Sequence, residues 1–152
     1  MNVCKRLCVI TALALSSVNA HAENLVMQRS VQPFPETMST LQDSIRKQGY
    51  VVSRVQRVDI GLTKMGYKTD KYRVVFYGKP DEIKSLSAKH PELIPYLPLK
   101  IAIFSEDGET LLIAMNPKEL ELMYPDAELQ AYFKRWSQDL TAIMHTIQTA
   151  TD

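Results

Sequence analysis

The sequence of 152 residues predicts an α+β domain, an antiparallel sheet with its helices on one face. Three observations lead there. Asp107-Gly108 stands between two apolar runs, the strongest short-range signal for a β-hairpin. After Pro125, apolar residues recur at Leu129, Tyr132, Phe133, Trp136, Leu140, Ile143, Met144 and Ile147, one stripe of a helix of about 23 residues. Ahead of them the pattern runs strand, helix, then several strands, with no repeat, low-complexity tract or interdomain linker.

Residues 1–22 stand apart from this domain. Lys5 and Arg6 precede the apolar run Leu7–Val18, and Ala20-His21-Ala22 supplies small residues at a cleavage site, the pattern of a secretory signal peptide. Spanning a bilayer takes roughly 18 or more apolar residues, and Ser16, Ser17 and Asn19 break this shorter run. The expected product is cut between Ala22 and Glu23, works in the periplasm or outside the cell, and has no stable membrane anchor. Cys4 and Cys8 both fall in the leader, and neither follows the apolar run as the acylated cysteine of a lipoprotein must. The mature chain therefore has no disulfide, and a packed core must stabilise it. Taking Lys5 and Arg6 from the 18 basic residues leaves 16 against 17 acidic ones, a formal charge near −1. Such a balance does not support a general affinity for nucleic acid or anionic lipid.

Along the mature chain, Leu25–Val31 is β-compatible and Pro33-Phe34-Pro35 punctuates it. Phe34, Met38, Leu41 and Ile45 then recur at helical spacing, predicting an amphipathic helix from about Pro35 to Gln48 with Gly49 as its left-handed cap. Tyr50–Val58 is rich in β-branched residues, a strand whose interspersed arginines suggest one wet face. Asp59–Gly66 reads as a connector with a helical turn, and Tyr72–Tyr77 as an apolar strand closed by Gly78-Lys79-Pro80. Asp81–Lys89 is a short polar helix, after which Pro91, Pro95 and Pro98 predict an extended, irregular stretch. Leu99–Phe104 and Glu109–Met115 form the hairpin. The unit over 23–124 is thus followed by an amphipathic helix over 125–150, expected to pack on the same domain. At roughly 1.5 to 3 kcal/mol per fully buried large side chain, that stripe supplies on the order of 10 kcal/mol before entropy costs.

Chemistry is sparse by comparison. With the leader removed, only His90 and His145 remain of three histidines. His145 lies nine residues after Trp136, on the helix face opposite the stripe, and Thr141, Ala142, Gln148 and Thr149 give it no co-ligand for a metal. His90 ends the short polar helix, where a cationic imidazole suits the helix C-terminus. No phosphate loop, zinc motif or nucleophile elbow is present, so no cofactor is expected and nothing argues positively for an enzyme. Bases dominate from Arg54 to Arg73 and acids from Glu106 to Glu128, which we read as two solvated faces. All seven tyrosines belong to the mature chain, and their apolar bodies with polar tips suit sheet surfaces, pockets and interfaces.

Several short motifs in order resemble a widespread bacterial and archaeal family known as domain of unknown function 302. They are the helix closed by Gly49, Met65-Gly66-Tyr67, Phe76-Tyr77-Gly78-Lys79-Pro80, Leu97-Pro98-Leu99-Lys100-Ile101, Asp107-Gly108 and Asn116-Pro117. The resemblance spans about Val31 to Pro117. It implies a curved antiparallel sheet in the order β-α-β-β-β-β-α, similar to the fold class of the TATA-binding protein. Family members often carry a histidine after the aspartate that follows the second strand, whereas here Ile60 follows Asp59. The family lends no activity, and likeness of fold to a DNA-binding protein is analogy only.

These observations favour a non-enzymatic binding module that holds a small molecule or a periplasmic protein in a groove between sheet and helices. Its expected wall is Tyr72, Tyr77, Tyr96, Pro98 and Lys100. Strand alternation puts Lys100 on the face opposite Leu99 and Ile101, where its ammonium would meet an anionic group. A homodimer joined through a sheet edge or the long helix is the alternative. A small hydrolase or isomerase using Asp59 or His90 with Lys64 is a third reading, and it requires those groups to converge in one pocket.

Overall fold

The computed structural model describes residues 24–150, so the expected leader and its cleavage site lie outside the described residues. Strand β1 (Leu25–Ser30) leads into helix α1 (Phe34–Lys47), which carries the chain to β2 (Val51–Arg57). Pro35 sits in the first turn of α1, where a backbone N–H would have no intrahelical partner anyway. Leu41 and Ile45 are fully buried on one side of α1, and Gly49 leaves the helix with a φ of 78°, a conformation that side chains disfavour.

The second strand runs straight into α2 (Val58–Lys64), so the expected connector is a seven-residue helix, none of whose residues is buried. Then come β3 (Tyr72–Gly78) and α3 (Pro80–Lys89). Residues Pro91–Tyr96, expected to be extended, instead form a 3-10 helix. Pro91 opens it with a φ suited to a helical turn, Leu93 N–H donates to the His90 carbonyl at 3.0 Å, and Leu93 is fully buried. The hairpin strands β4 (Leu99–Glu106) and β5 (Glu109–Met115), a 3-10 turn (Pro117–Glu119), α4 (Leu120–Met123) and α5 (Ala127–Thr149) complete the chain. At the hairpin, Asp107 and Gly108 take φ values of 51° and 86°, the left-handed pair that a two-residue turn of matching twist requires.

One five-stranded sheet results, in the order β1-β5-β4-β3-β2, with every neighbouring pair antiparallel. Since β1 and β2 occupy opposite edges, α1 must cross the sheet between them. Register assigns each residue to a face. Val75, Tyr77, Leu99, Ile101, Ile103, Leu112 and Ala114 point to the inner face and join one core with Leu41 and Ile45 of α1 and Leu129, Phe133, Trp136, Leu140 and Ile143 of α5. The intervening residues, Tyr72, Val74, Phe76, Ala102, Phe104, Leu111 and Ile113, point the other way, and none belongs to that core.

The long helix begins at Asp126, whose Oδ1 accepts from Glu128 N–H at 2.7 Å and Leu129 N–H at 3.3 Å. Its stripe is buried apart from half-buried Tyr132, and His145 is exposed, as periodicity requires. A polar clasp ties it down further: Trp136 Nε1 donates to Glu82 Oε1 at 2.8 Å, Arg135 pairs with the same Glu82, and the Tyr50 hydroxyl donates to Asp139 at 2.6 Å.

Candidate functional site

Where β3 ends and β4 begins, five segments of chain meet around a recess of about 250 Å³. The inner face of β3 contributes Tyr77 one residue before Gly78 ends the strand, the 3-10 helix contributes Pro95 and Tyr96, and β4 contributes Leu99 and Lys100. Met115 at the end of β5 and Pro117 in the following turn close the far side. The lining is mostly apolar, with Lys100 as its cation and two phenols as its other polar groups.

Burial sets the chemistry of the Tyr77 phenol. Tyr77 is 2% exposed, and desolvation, with a smaller contribution from the Asp139 charge, pushes its pKa well above the ordinary tyrosine range. It stays neutral at physiological pH and so is a hydrogen-bonding group rather than a base. Its ring packs edge-on against Tyr50 at 5.4 Å, which fixes its orientation. Tyr96 is half-buried and meets Tyr124 edge-on at 6.1 Å, while the Tyr124 hydroxyl donates to the Glu92 carbonyl at 3.4 Å. A hydrogen bond with Tyr96 is the largest cause that raises the Tyr124 pKa. Lys100 is exposed and makes no ion pair among the described residues.

The expected wall is therefore assembled in part. Tyr77, Tyr96 and Lys100 come together in the recess. Pro98 follows a cis Leu97–Pro98 peptide and packs towards Gly78, outside the lining. Tyr72 is displaced altogether: it sits at the other end of β3, on the outer face, with its ring 5.9 Å from that of Phe104. Five residues separate it from Tyr77, and an odd spacing places the two on opposite faces of a strand. Pro95, Leu99, Met115 and Pro117 line the recess without belonging to the expected wall. For Met115 a signal existed, because extending the hairpin register by one step from Ala102 opposite Ile113 carries Met115 to the level of Lys100.

The groups required for an acid–base site do not converge. Asp59 pairs with Arg73 at 2.5 Å, and that guanidinium holds its carboxyl below the usual range. Asp59 and Lys64 share an open hollow of about 470 Å³ with Ile60, Thr63 and Thr69. His90 is absent from that hollow; it follows α3 beyond the opposite end of β3, with Nδ1 3.2 Å from Glu92. A larger hollow of about 560 Å³, lined by Thr63, Gly66, Tyr67, Lys68, Thr69 and Asp70, is equally shallow. We favour the smaller recess as the site because it is more enclosed and mostly apolar, the conditions under which contacts hold a ligand. Among the described residues no three His, Cys, Asp or Glu side chains cluster as metal ligands, and no helix is long and apolar enough to cross a membrane.

Comparison with known proteins matches the fold without supplying an activity. No curated protein matches the chain. Among solved structures, the crystal structure of an uncharacterised conserved protein DUF302 from Bacillus stearothermophilus is similar, with a TM-score of 0.74 at 20% identity, covering 83% of this chain and 99% of that one. At that identity the likeness shows a shared fold. The family model described as domain of unknown function DUF302 matches residues 27–147, from β1 to the last turns of α5. Sequence and architecture agree, and the chain belongs to the DUF302 family.

Proposed function

We propose that this protein is a non-enzymatic binding module of the cell envelope, which holds a small, largely apolar molecule with one anionic end. The leader pattern supports export, with cleavage between Ala22 and Glu23, into the periplasm or medium. The observation that carries the binding role is the convergence of Tyr77, Tyr96 and Lys100, from three separate elements, on one partly enclosed recess of about 250 Å³. At the ~30 Å³ that each molecule of liquid water occupies, this space suits a ligand of about eight or nine non-hydrogen atoms. The apolar wall takes the body of such a molecule and the Lys100 ammonium its anionic end.

Benzoate and hexanoate have the right size and charge to test this. Each should raise the melting temperature of the mature protein. Stabilisation at ten times Kd is about 1.4 kcal/mol, a shift of roughly 3 to 5 °C for a domain of this size. Lys100→Ala should abolish the shift, and Tyr96→Ala should abolish it too while lowering the unliganded melt, because the Tyr96 ring packs on Tyr124 and the core. No shift with either compound, together with an empty protein in native mass spectra, would count decisively against the recess as a site. Export is tested separately, by N-terminal sequencing of the protein from the periplasmic fraction, which should begin at Glu23.

A further inference from the structure

The outer face of the sheet is apolar across its middle strands, at Val74, Phe76, Ala102, Phe104, Leu111 and Ile113, with Arg29, Gln56, Lys100, Glu106 and Glu109 around them. Three levels of side chains cross it, read from the strand register. Met27, Ile113, Ala102, Val74 and Gln56 form one, Arg29, Leu111, Phe104 and Tyr72 the next, and Lys100 and Phe76 lie with Leu25 and Met115 below the first. Leu25, Met27 and Met115 are 54%, 55% and 40% exposed. Sheets with one wet face alternate apolar with polar residues, and these strands do not.

We propose that this face binds a second copy of the same chain, stacked face to face about a two-fold axis that runs across the strands. The inference goes beyond the ligand reading and does not rest on it. Self-complementarity identifies the occupant. Along β4 the outer face reads Lys100, Ala102, Phe104, Glu106, and an axis between the Ala102 and Phe104 levels sets Lys100 of each copy opposite Glu106 of the other. The small Ala102 then faces the large Phe104, and on β3 the smaller Val74 faces Tyr72. Steric fit and charge select the same axis; one parallel to the strands would set Lys100 against Lys100.

The charges are left unbalanced within one chain in the sense this pairing needs. Glu106 and Glu109 share one guanidinium, at 2.7 and 3.1 Å from Arg29, while Lys100 has no carboxylate partner among the described residues. The Lys100 ammonium has three donors, so it can serve a ligand and the second copy together. Area is sufficient: five strands ~4.8 Å apart and six to eight residues long give a face of about 500 Å² per copy, roughly the 1,000 Å² in total that a specific interface needs. Aligned stacking of two such sheets is an established packing mode.

Sedimentation velocity of the mature chain, with substitutions at the two charges, tests the proposal. The wild-type chain should sediment as two copies. Lys100→Glu alone and Glu106→Lys alone should each weaken the dimer by roughly tenfold or more, because each creates a like-charge contact twice over. The double swap should restore most of the affinity. Val74→Lys, in the middle of the face, should give a monomer with an unchanged circular dichroism spectrum, which guards against a charge variant that fails to fold. A monomer at high micromolar concentration overturns the proposal. So does a dimer indifferent to all four variants, which would place the contact at a strand edge or on α5, or one that forms only when residues 1–22 are retained.

Discussion

Along the middle strands of this sheet the two faces are built from similar apolar residues and have different fates. On the inner face, Val75, Ile101, Ile103 and Leu112 are completely buried beneath α1 and α5. One position along in each strand, Val74, Ala102, Phe104 and Ile113 are as apolar but belong to no core. The difference teaches that the helices account for only half of the sheet's hydrophobicity. An apolar residue on the outer face has the same physical explanation as one in a core, removal from water, and the proposed second copy would supply that cover.

The contrast can be broken most severely at the inner face. Trp136→Ala removes a side chain 1% exposed and leaves Glu82 without its indole donor, so urea denaturation should show a loss of about 3 to 5 kcal/mol. Ile103→Ala, at a fully buried position, should cost about 2 to 4 kcal/mol by the same measurement.

Tyr50→Phe should cost about 1 to 2 kcal/mol by removing the hydrogen bond to Asp139, and it should also alter the alkaline limb of stability. Desolvation, with the Asp139 hydrogen bond, raises the Tyr50 pKa above its ordinary value of 10.0, and burial raises that of Tyr77. Below about pH 10 both phenols are protonated in both states and contribute no slope. Above it the unfolded chain loses protons that the folded chain retains, so stability falls as pH rises, and less steeply in the variant.

Asp126→Ala, which removes the α5 cap, should cost about 1 kcal/mol. Smallest of all, Ile113→Ala on the outer face should cost under about 1 kcal/mol in dilute, monomeric protein while weakening the dimer. A loss as large as that of Ile103→Ala in the monomer would erase the distinction between the faces.

What was legible in the sequence was whatever local chemistry decides. Asp107-Gly108 specifies its turn through the left-handed conformations it tolerates, and the stripe from Leu129 to Ile147 specifies a helix through its period. The 3-10 helix was missed because Pro91 and Pro95 interrupt extended and helical backbone alike, and the burial of Leu93 decides between them. Within the recess, residue character pointed to Tyr77, Tyr96 and Lys100, whereas Pro95 and Pro117 reach it only through tertiary approach of the turns that carry them. Strand parity alone separates Tyr72 from Tyr77, five residues away on the same strand. The uncovered face could also have been inferred: an antiparallel hairpin whose strands are apolar at successive positions requires cover on both sides.

A native mass spectrum of the protein, purified from its own cells without added ligand, tests both halves of this account at once. Two copies associated through the outer face, each retaining one small anionic molecule in the recess beside Lys100, should appear as a species of twice the chain mass with discrete small adducts lost on activation. A single chain with no adduct would contradict it.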